Sequence, residues 1–315
     1  MKSKQIQSAL SGIAVGDALG VPVEFESRES LKNNPVTNMR EFGTHGQPIG
    51  TWSDDSSLAF CLAESLIEGY DLQKTANSFL KWYNAKIWTP HGRVFDIGIA
   101  TRQALSRLGK GYKPDLCGGF EEKDNGNGSL MRILPLSFYL KDEKDIDFIY
   151  KTVKEVSSIT HAHFRSVFAC FIYVVYSIEL IKGFDKKESY NNLKITIDDF
   201  LNKNEFNKNE LFLFDRILKN EIHNFDENTI QSSGYVLHSL EASFWCFLNS
   251  ETYEETVLKA VNLGEDTDTT GAIAGGLAGV YYGFENIPKQ WINVIVRKND
   301  IVELSNKLEN KLKNV

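Results

Sequence analysis

Apolar residues along this chain recur mostly at intervals of three and four. Ile6, Leu10, Ile13 and Ala14 fall on one helical face. Between residues 56 and 68, Leu58, Cys61, Leu62, Ser65 and Leu66 fall on another. Gly69 is suited to end that helix, and Ser53, Asp54 or Asp55 to cap its start. The same period predicts helices over 71–82, 97–108, 145–156, 163–181, 235–248, 253–263 and 269–282. Alternating apolar and polar runs are scarce, so few strands are expected. The pattern points to an all-α fold, a compact multi-helix bundle.

Residues 183–228 are rich in Lys, Asn, Asp and Glu, yet they keep spaced apolar positions such as Leu211, Phe212, Phe214, Ile217 and Leu218. That apolar content argues against disorder and predicts peripheral helices joined by polar loops. With no internal repeat and no Pro-rich linker, 1–315 is expected to form a single domain.

Composition changes this picture little. The chain is 42% hydrophobic and 24% charged, as ordinary globular proteins are, and carries a net charge of −7. An acidic balance argues against a phosphate-backbone binder, so nucleic acid is expected only as a modified substrate. Cys61, Cys117, Cys170 and Cys246 are far apart, form no CxxC pair and sit among apolar residues. Buried, reduced thiols and a cytoplasmic setting are the expectation. The weakly apolar run after Met1 is interrupted by Asp17 and glycines, which makes a poor signal peptide. The strongest apolar stretch, 166–178, is too short to cross a bilayer, which takes about 20 residues. It reads as a core helix in a protein without a membrane partner, expected to act as a monomer.

Candidate chemistry sits in two acidic clusters. One is Gly264-Glu265-Asp266-Thr267-Asp268-Thr269-Thr270, just before a run of small residues with Gly271, Ala274 or Gly275, Ala278 and Gly279 on one face. The other is Thr51-Trp52-Ser53-Asp54-Asp55-Ser56. Taken singly, each reads equally well as acids capping a helix, where the dipole favours them. Taken together, crowded carboxylates flanked by hydroxyls suggest one hard-cation site built from distant parts of the chain. All-oxygen ligands favour Mg²⁺, Mn²⁺ or Ca²⁺ over zinc.

Two more blocks make a resemblance specific: Gly16-Asp17-Ala18-Leu19-Gly20-Val21-Pro22-Val23-Glu24 and Gly126-Asn127-Gly128-Ser129-Leu130-Met131-Arg132. With the two acidic clusters, in this order, they resemble the ADP-ribosylglycohydrolase family over residues 12–283. The resemblance implies an all-α fold with a central cleft holding a pair of Mg²⁺ or Mn²⁺ ions. By matching position it implies metal ligands at Ser53, Asp54 and Asp55 on one side and Asp266, Asp268 and Thr269 on the other. Ser53 stands where the family often has Thr, and Glu265 where it often has a small residue, here expected to face solvent.

The resemblance also implies roles for other residues, each with a blander alternative. Glu24 would lie beside the metals and orient water or act as a gate, or be a surface acid. Asp96, within His91-Gly92-Arg93-Val94-Phe95-Asp96-Ile97-Gly98, would face the ribose or simply cap the next helix. Asn127-Gly128 would bring backbone amides to a diphosphate, with Ser129 and Met131 near the ligand, or form a plain turn. His161, in Thr160-His161-Ala162-His163, would lie near the diphosphate or ribose, with His163 structural. Tyr235 would stack on adenine or be a buried aromatic. Asp17 is expected to bond local backbone groups.

The implied activity is metal-dependent removal of ADP-ribose from a modified protein or conjugate, foremost from arginine, with Asp55 and Asp266 in the catalytic group alongside Glu24 and Asp96. Serine-, nucleobase- or small-molecule-linked ADP-ribose remain alternatives. So do a non-catalytic ADP-ribose binder and a metal-dependent phosphohydrolase.

Overall fold

In the computed structural model, which describes residues 4–313, helices account for the architecture and only isolated single-residue bridges stand in for strands. The Gln5–Gly20 helix is buried along its whole length and packs antiparallel against the Thr267–Tyr282 helix. Their contact is glycine on glycine. A Cβ on Gly16 would stand 2.0 Å from the Gly271 carbonyl oxygen, and one on Gly12 would stand 2.3 Å from that of Gly275. No side chain fits in such a space, so the backbones touch directly. The small-residue face of the later helix was readable from the sequence; its partner face on the first helix is the complement the structure supplies.

Around this pair pack the helices Asp54–Ser65, Leu134–Leu140, Phe164–Lys182, Val236–Leu248, Tyr253–Val261 and Lys298–Lys313. The Phe164–Lys182 helix runs 19 residues, longer than the expected apolar stretch. Its apolar faces are buried inside the protein against neighbouring helices. Phe164, Phe168, Phe171, Phe200, Phe206 and Phe214 form one ring cluster there, with centroid separations such as 4.9 Å for Phe171–Phe200. The polar 183–228 region therefore contributes to the core through helix Lys186–Leu201, whose inner face buries Tyr190, Leu193, Ile197 and Phe200. All four cysteines are buried and free.

The predicted helices are present, with ends shifted by a few residues. Two shifts matter. The later helix begins at Thr267 rather than Thr269, which puts Asp268 in its first turn. The 97–108 helix begins at Ile99, after Gly98, and no side chain caps it. The C-terminal helix Lys298–Lys313 lay outside the periodic segments singled out from the sequence.

Candidate active site

The last turns of the first helix assemble the site. Asp17 is fully buried and accepts hydrogen bonds from the amide of Ser53 at 2.8 and 3.0 Å, the amide of Ser56 at 3.0 Å and the hydroxyl of Ser56 at 2.6 Å. Its expected local bonding is thereby corrected: its partners lie 36 and 39 residues away in sequence. This carboxylate pins the start of the Asp54–Ser65 helix, and with it Asp54 and Asp55. One turn on, Gly20 lies against the other cluster, where an added Cβ would come 2.3 Å from the Asp268 amide nitrogen. The Thr267 hydroxyl donates to the Gly20 carbonyl at 2.8 Å. The chain then turns through Val21–Val23 to deliver Glu24.

The two clusters consequently meet, with Asp54 and Asp55 lining the same cleft as Asp266 and Thr269. Carboxylate oxygens of Glu24, Asp266 and Asp268 lie within 4.8 Å of one another, and a second group of the same compactness joins Glu24, His45 and Asp96. Ser53 is the N-cap of its helix, its Oγ accepting from the Asp55 amide at 3.2 Å, and it also donates to Asp55 Oδ2 at 3.0 Å. Capping and ligation are thus compatible at this residue. Asp268 Oδ1 accepts from the Thr269 amide at 2.8 Å, and Asp266 Oδ2 accepts from Asn127 Nδ2 at 2.8 Å. Asp55 Oδ1 and Asp268 Oδ2, by contrast, are buried with no partner. Buried carboxylate oxygens are normally hydrogen-bonded, and an orphaned pair in facing clusters is what cation ligands look like without their cation.

The electrostatics agree. Burial first, and then the neighbouring carboxylates, push Asp54, Asp55 and Asp268 well above the usual carboxylate range. Burial raises Asp266 as well, against its hydrogen bond from Asn127. Glu24 is raised to about 7, chiefly by burial, and Asp17 to about 7 by burial that outweighs its hydrogen bonds. Negative charge so confined calls for a positive counterpart, and the residues present fit hard divalent cations.

These groups open into a cleft of about 300 Å³ lined by Glu24, Asp54, Asp55, Asp96, Asn127, Gly128, Met131, His161, Asp266 and Thr269. A larger open groove, about 710 Å³ along residues 64–85, gathers no comparable cluster. Asp96 does not cap a helix; it adopts a left-handed backbone (φ 47°) and faces the cleft. Gly128 must lack a side chain, because a Cβ there would sit 2.8 Å from the His161 ring. The His161 imidazole is buried and pushed down to about 3 by that burial, so it stays neutral, with Nδ1 paired to the Thr160 hydroxyl at 2.8 Å. Arg132, wholly buried, holds the loop from behind through the Gly128 carbonyl.

Some expected residues stand apart. Ser129 points away from the cleft: its hydroxyl is fully buried and accepts from Ser157 at 2.9 Å. Tyr235 flanks the cleft without lining it, its hydroxyl accepting from Arg165 at 3.4 Å and its ring set edge-on to His238. His163 caps the Phe164–Lys182 helix, a structural place. Glu265 is exposed. His45, which hydrogen-bonds Glu24, and Lys123, which lines the cleft, were not singled out from the sequence. A lone His in a Gly-rich loop has no periodicity to announce it.

The sequence model of the ADP-ribosylglycohydrolase family matches residues 2–314. An ADP-ribosylarginine hydrolase Tri1 of Serratia proteamaculans is 31% identical, over 96% of this chain and 78% of the relative. The ADP-ribosyl-[dinitrogen reductase] glycohydrolase of Rhodospirillum rubrum is 27% identical, over 92% and 90%. A solved structure described as an ADP-ribosylglycohydrolase-related protein complex superposes with a TM-score of 0.81 at 30% identity, covering 99% of this chain and 100% of that one. The sequence blocks, the helical fold and the converging acidic clusters have one common account: this chain belongs to the ADP-ribosylglycohydrolase family.

Proposed function

We propose that this chain is a divalent-metal-dependent hydrolase that releases ADP-ribose from ADP-ribosylated protein by cleaving the N-glycosidic bond to arginine. The observation that carries the reading is the meeting of two acidic clusters, each with one buried, unpartnered oxygen, Asp55 Oδ1 and Asp268 Oδ2, at a cleft lined by Asp54, Asp55, Asp266, Asn127 and Gly128. The arginine linkage is supported by relatives named ADP-ribosylarginine hydrolase.

Ser53, Asp54 and Asp55 would hold the cations from one side and Asp266, Asp268 and Thr269 from the other, as a Mg²⁺ or Mn²⁺ pair. Bound there, such cations fix ribose hydroxyls and make water a better nucleophile at neutral pH. The remaining work falls to the chain. Bond breaking at the anomeric carbon builds oxocarbenium-like positive charge on the sugar, which the surrounding carboxylates stabilise. Glu24, beside Asp266 and Asp268, accepts the proton of the attacking water and gives it up to the arginine, which departs as the neutral guanidine. Asp96, whose carboxylate lies within 4.8 Å of a Glu24 oxygen, faces the ribose beside it. The Asn127 amide is taken by the Gly234 carbonyl at 3.1 Å, so the backbone of Gly128, with the neutral His161 ring packed against it, is the part of this turn that meets the diphosphate.

The test presents arginine-, serine- and nucleobase-linked ADP-ribose with Mg²⁺ or Mn²⁺ and follows release by mass spectrometry. Release from the arginine conjugate alone is expected. Release only from another linkage would replace the arginine assignment, binding of ADP-ribose with no release would favour a non-catalytic binder, and phosphate release from ADP-ribose would favour a phosphohydrolase.

A further inference from the structure

We infer that His45 is a positioning residue for Glu24, and that the turn around it is a clamp built to hold that carboxylate over the cleft. The inference rests on the hydrolase reading above for what Glu24 does, and on geometry for how it is held. His45 Nε2 is hydrogen-bonded to Glu24 Oε2, and it is the donor whenever Glu24 is ionised. Both side chains are largely buried, at 17% and 6% exposure, so the bond is shielded from competing water.

Neighbours of His45 grip the same segment. Thr44 donates its hydroxyl to the Glu24 carbonyl at 2.7 Å. Gly43 takes φ +49° and lies so close to Pro22 that a Cβ would come 1.9 Å from the Pro22 carbonyl oxygen. Consecutive residues 43, 44 and 45 therefore touch the backbone before Glu24, the backbone of Glu24 and its side chain. The turn is itself braced. Gln47 donates to the His45 carbonyl at 2.7 Å, accepts from Arg93 at 3.1 Å, and its own carbonyl receives the Phe42 amide at 2.6 Å. The imidazole packs between the Phe25 and Phe95 rings, at 6.1 and 5.6 Å between centroids. From the other side, the Phe25 amide donates to the Glu265 carbonyl at 2.7 Å. Phe25 and Glu265 both hold left-handed backbones, φ 67° and 63°, a strain that persists only where surrounding contacts enforce it. Glu24 is thus fixed between the 43–47 turn and the loop that carries Asp266.

A general base misplaced by about 1 Å loses roughly a hundredfold in rate. His45→Leu should lower kcat on ADP-ribosyl-arginine by about thirtyfold or more, with KM changed less than about threefold. His45→Gln, whose amide can donate from a similar position, should recover most of that loss. Divalent-cation affinity, read by calorimetry, should be unchanged in both, because neither His45 nor Glu24 is among the proposed ligands. Equal kcat in His45→Leu and wild type overturns the inference. So does a tenfold or greater loss of cation affinity in His45→Leu, because His45 would then act on the cations, as a ligand or through one, and not on Glu24 alone. A wild-type chain that releases no ADP-ribose from any conjugate defeats the hydrolase reading alone. The clamp is then decided by amide hydrogen exchange over residues 23–26, expected about tenfold faster in His45→Leu than in wild type or His45→Gln. Unchanged protection there overturns it.

Discussion

Asp17 receives the Ser56 hydroxyl at 2.6 Å across 39 residues of sequence, and through that contact the first helix holds the second acidic cluster in place. Asp17→Ala would leave the Ser53 and Ser56 amides buried without acceptors. Each such loss costs about 1–3 kcal/mol, so the variant should be destabilised by about 3 kcal/mol and lose activity with it. Chemical denaturation of the purified variant checks this; wild-type stability would show that the helix start needs no pin.

The glycine contact makes a separate claim. Gly16→Ala or Gly271→Ala drives a methyl into backbone on the facing helix, where nothing flexible can give way. Either should cost about 3 kcal/mol or prevent folding. Gly109→Ala is the control: its Cβ would meet only Leu80, at 3.8 Å, and should be tolerated. Denaturation midpoints separate the two outcomes.

Stability should depend on pH with an unusual sign. Burial alone raises Asp17 to about 7; burial together with neighbouring carboxylates raises Glu24 to about 7 and raises Asp54, Asp55 and Asp268 as well. Between about pH 4.5 and 7 these five acids bind more protons in the folded chain than in the unfolded one, which outweighs the opposite contribution of His161, held neutral by burial, so chelated protein loses stability as pH rises through that window. Thermal midpoints in chelator should be higher at pH 5.5 than at pH 7.5. Mn²⁺ should raise the midpoint more at pH 7.5, where the carboxylates are free to bind it. A chelated protein more stable at pH 7.5 would contradict the crowding argument.

Asp268→Asn removes charge where one oxygen has no partner. In chelator this variant should be more stable than wild type by about 1–2 kcal/mol, a gain common when a strained functional residue is neutralised. The Mn²⁺-induced shift should disappear. Calorimetry with and without the cation reads both effects.

How far the chain announced this arrangement differs by feature. Helices carried by a strong period, and the acids flanked by hydroxyls, could be found because their signals are local. The cation reading needed both clusters at once, and their meeting is a property of the first helix, through Asp17 and Gly20. Asp17 looked locally bonded because nothing in its own neighbourhood points 36 residues onward. His45 escaped notice for the same reason, with its partner 21 residues away and no periodic context. Ser129 sits in the right block with its side chain turned inward, and spacing does not report which way a turn residue points.

The central claim is that Asp54, Asp55, Asp266 and Asp268 hold the cations that make this cleft a hydrolase. The most direct measurement is mass-spectrometric release of ADP-ribose from an ADP-ribosyl-arginine protein by wild-type enzyme with Mg²⁺ or Mn²⁺, by the same enzyme in chelator, and by folded Asp268→Asn. Release in the first arm alone, restored to the second by added cation, is the predicted result. Undiminished release in chelator or by Asp268→Asn would contradict it.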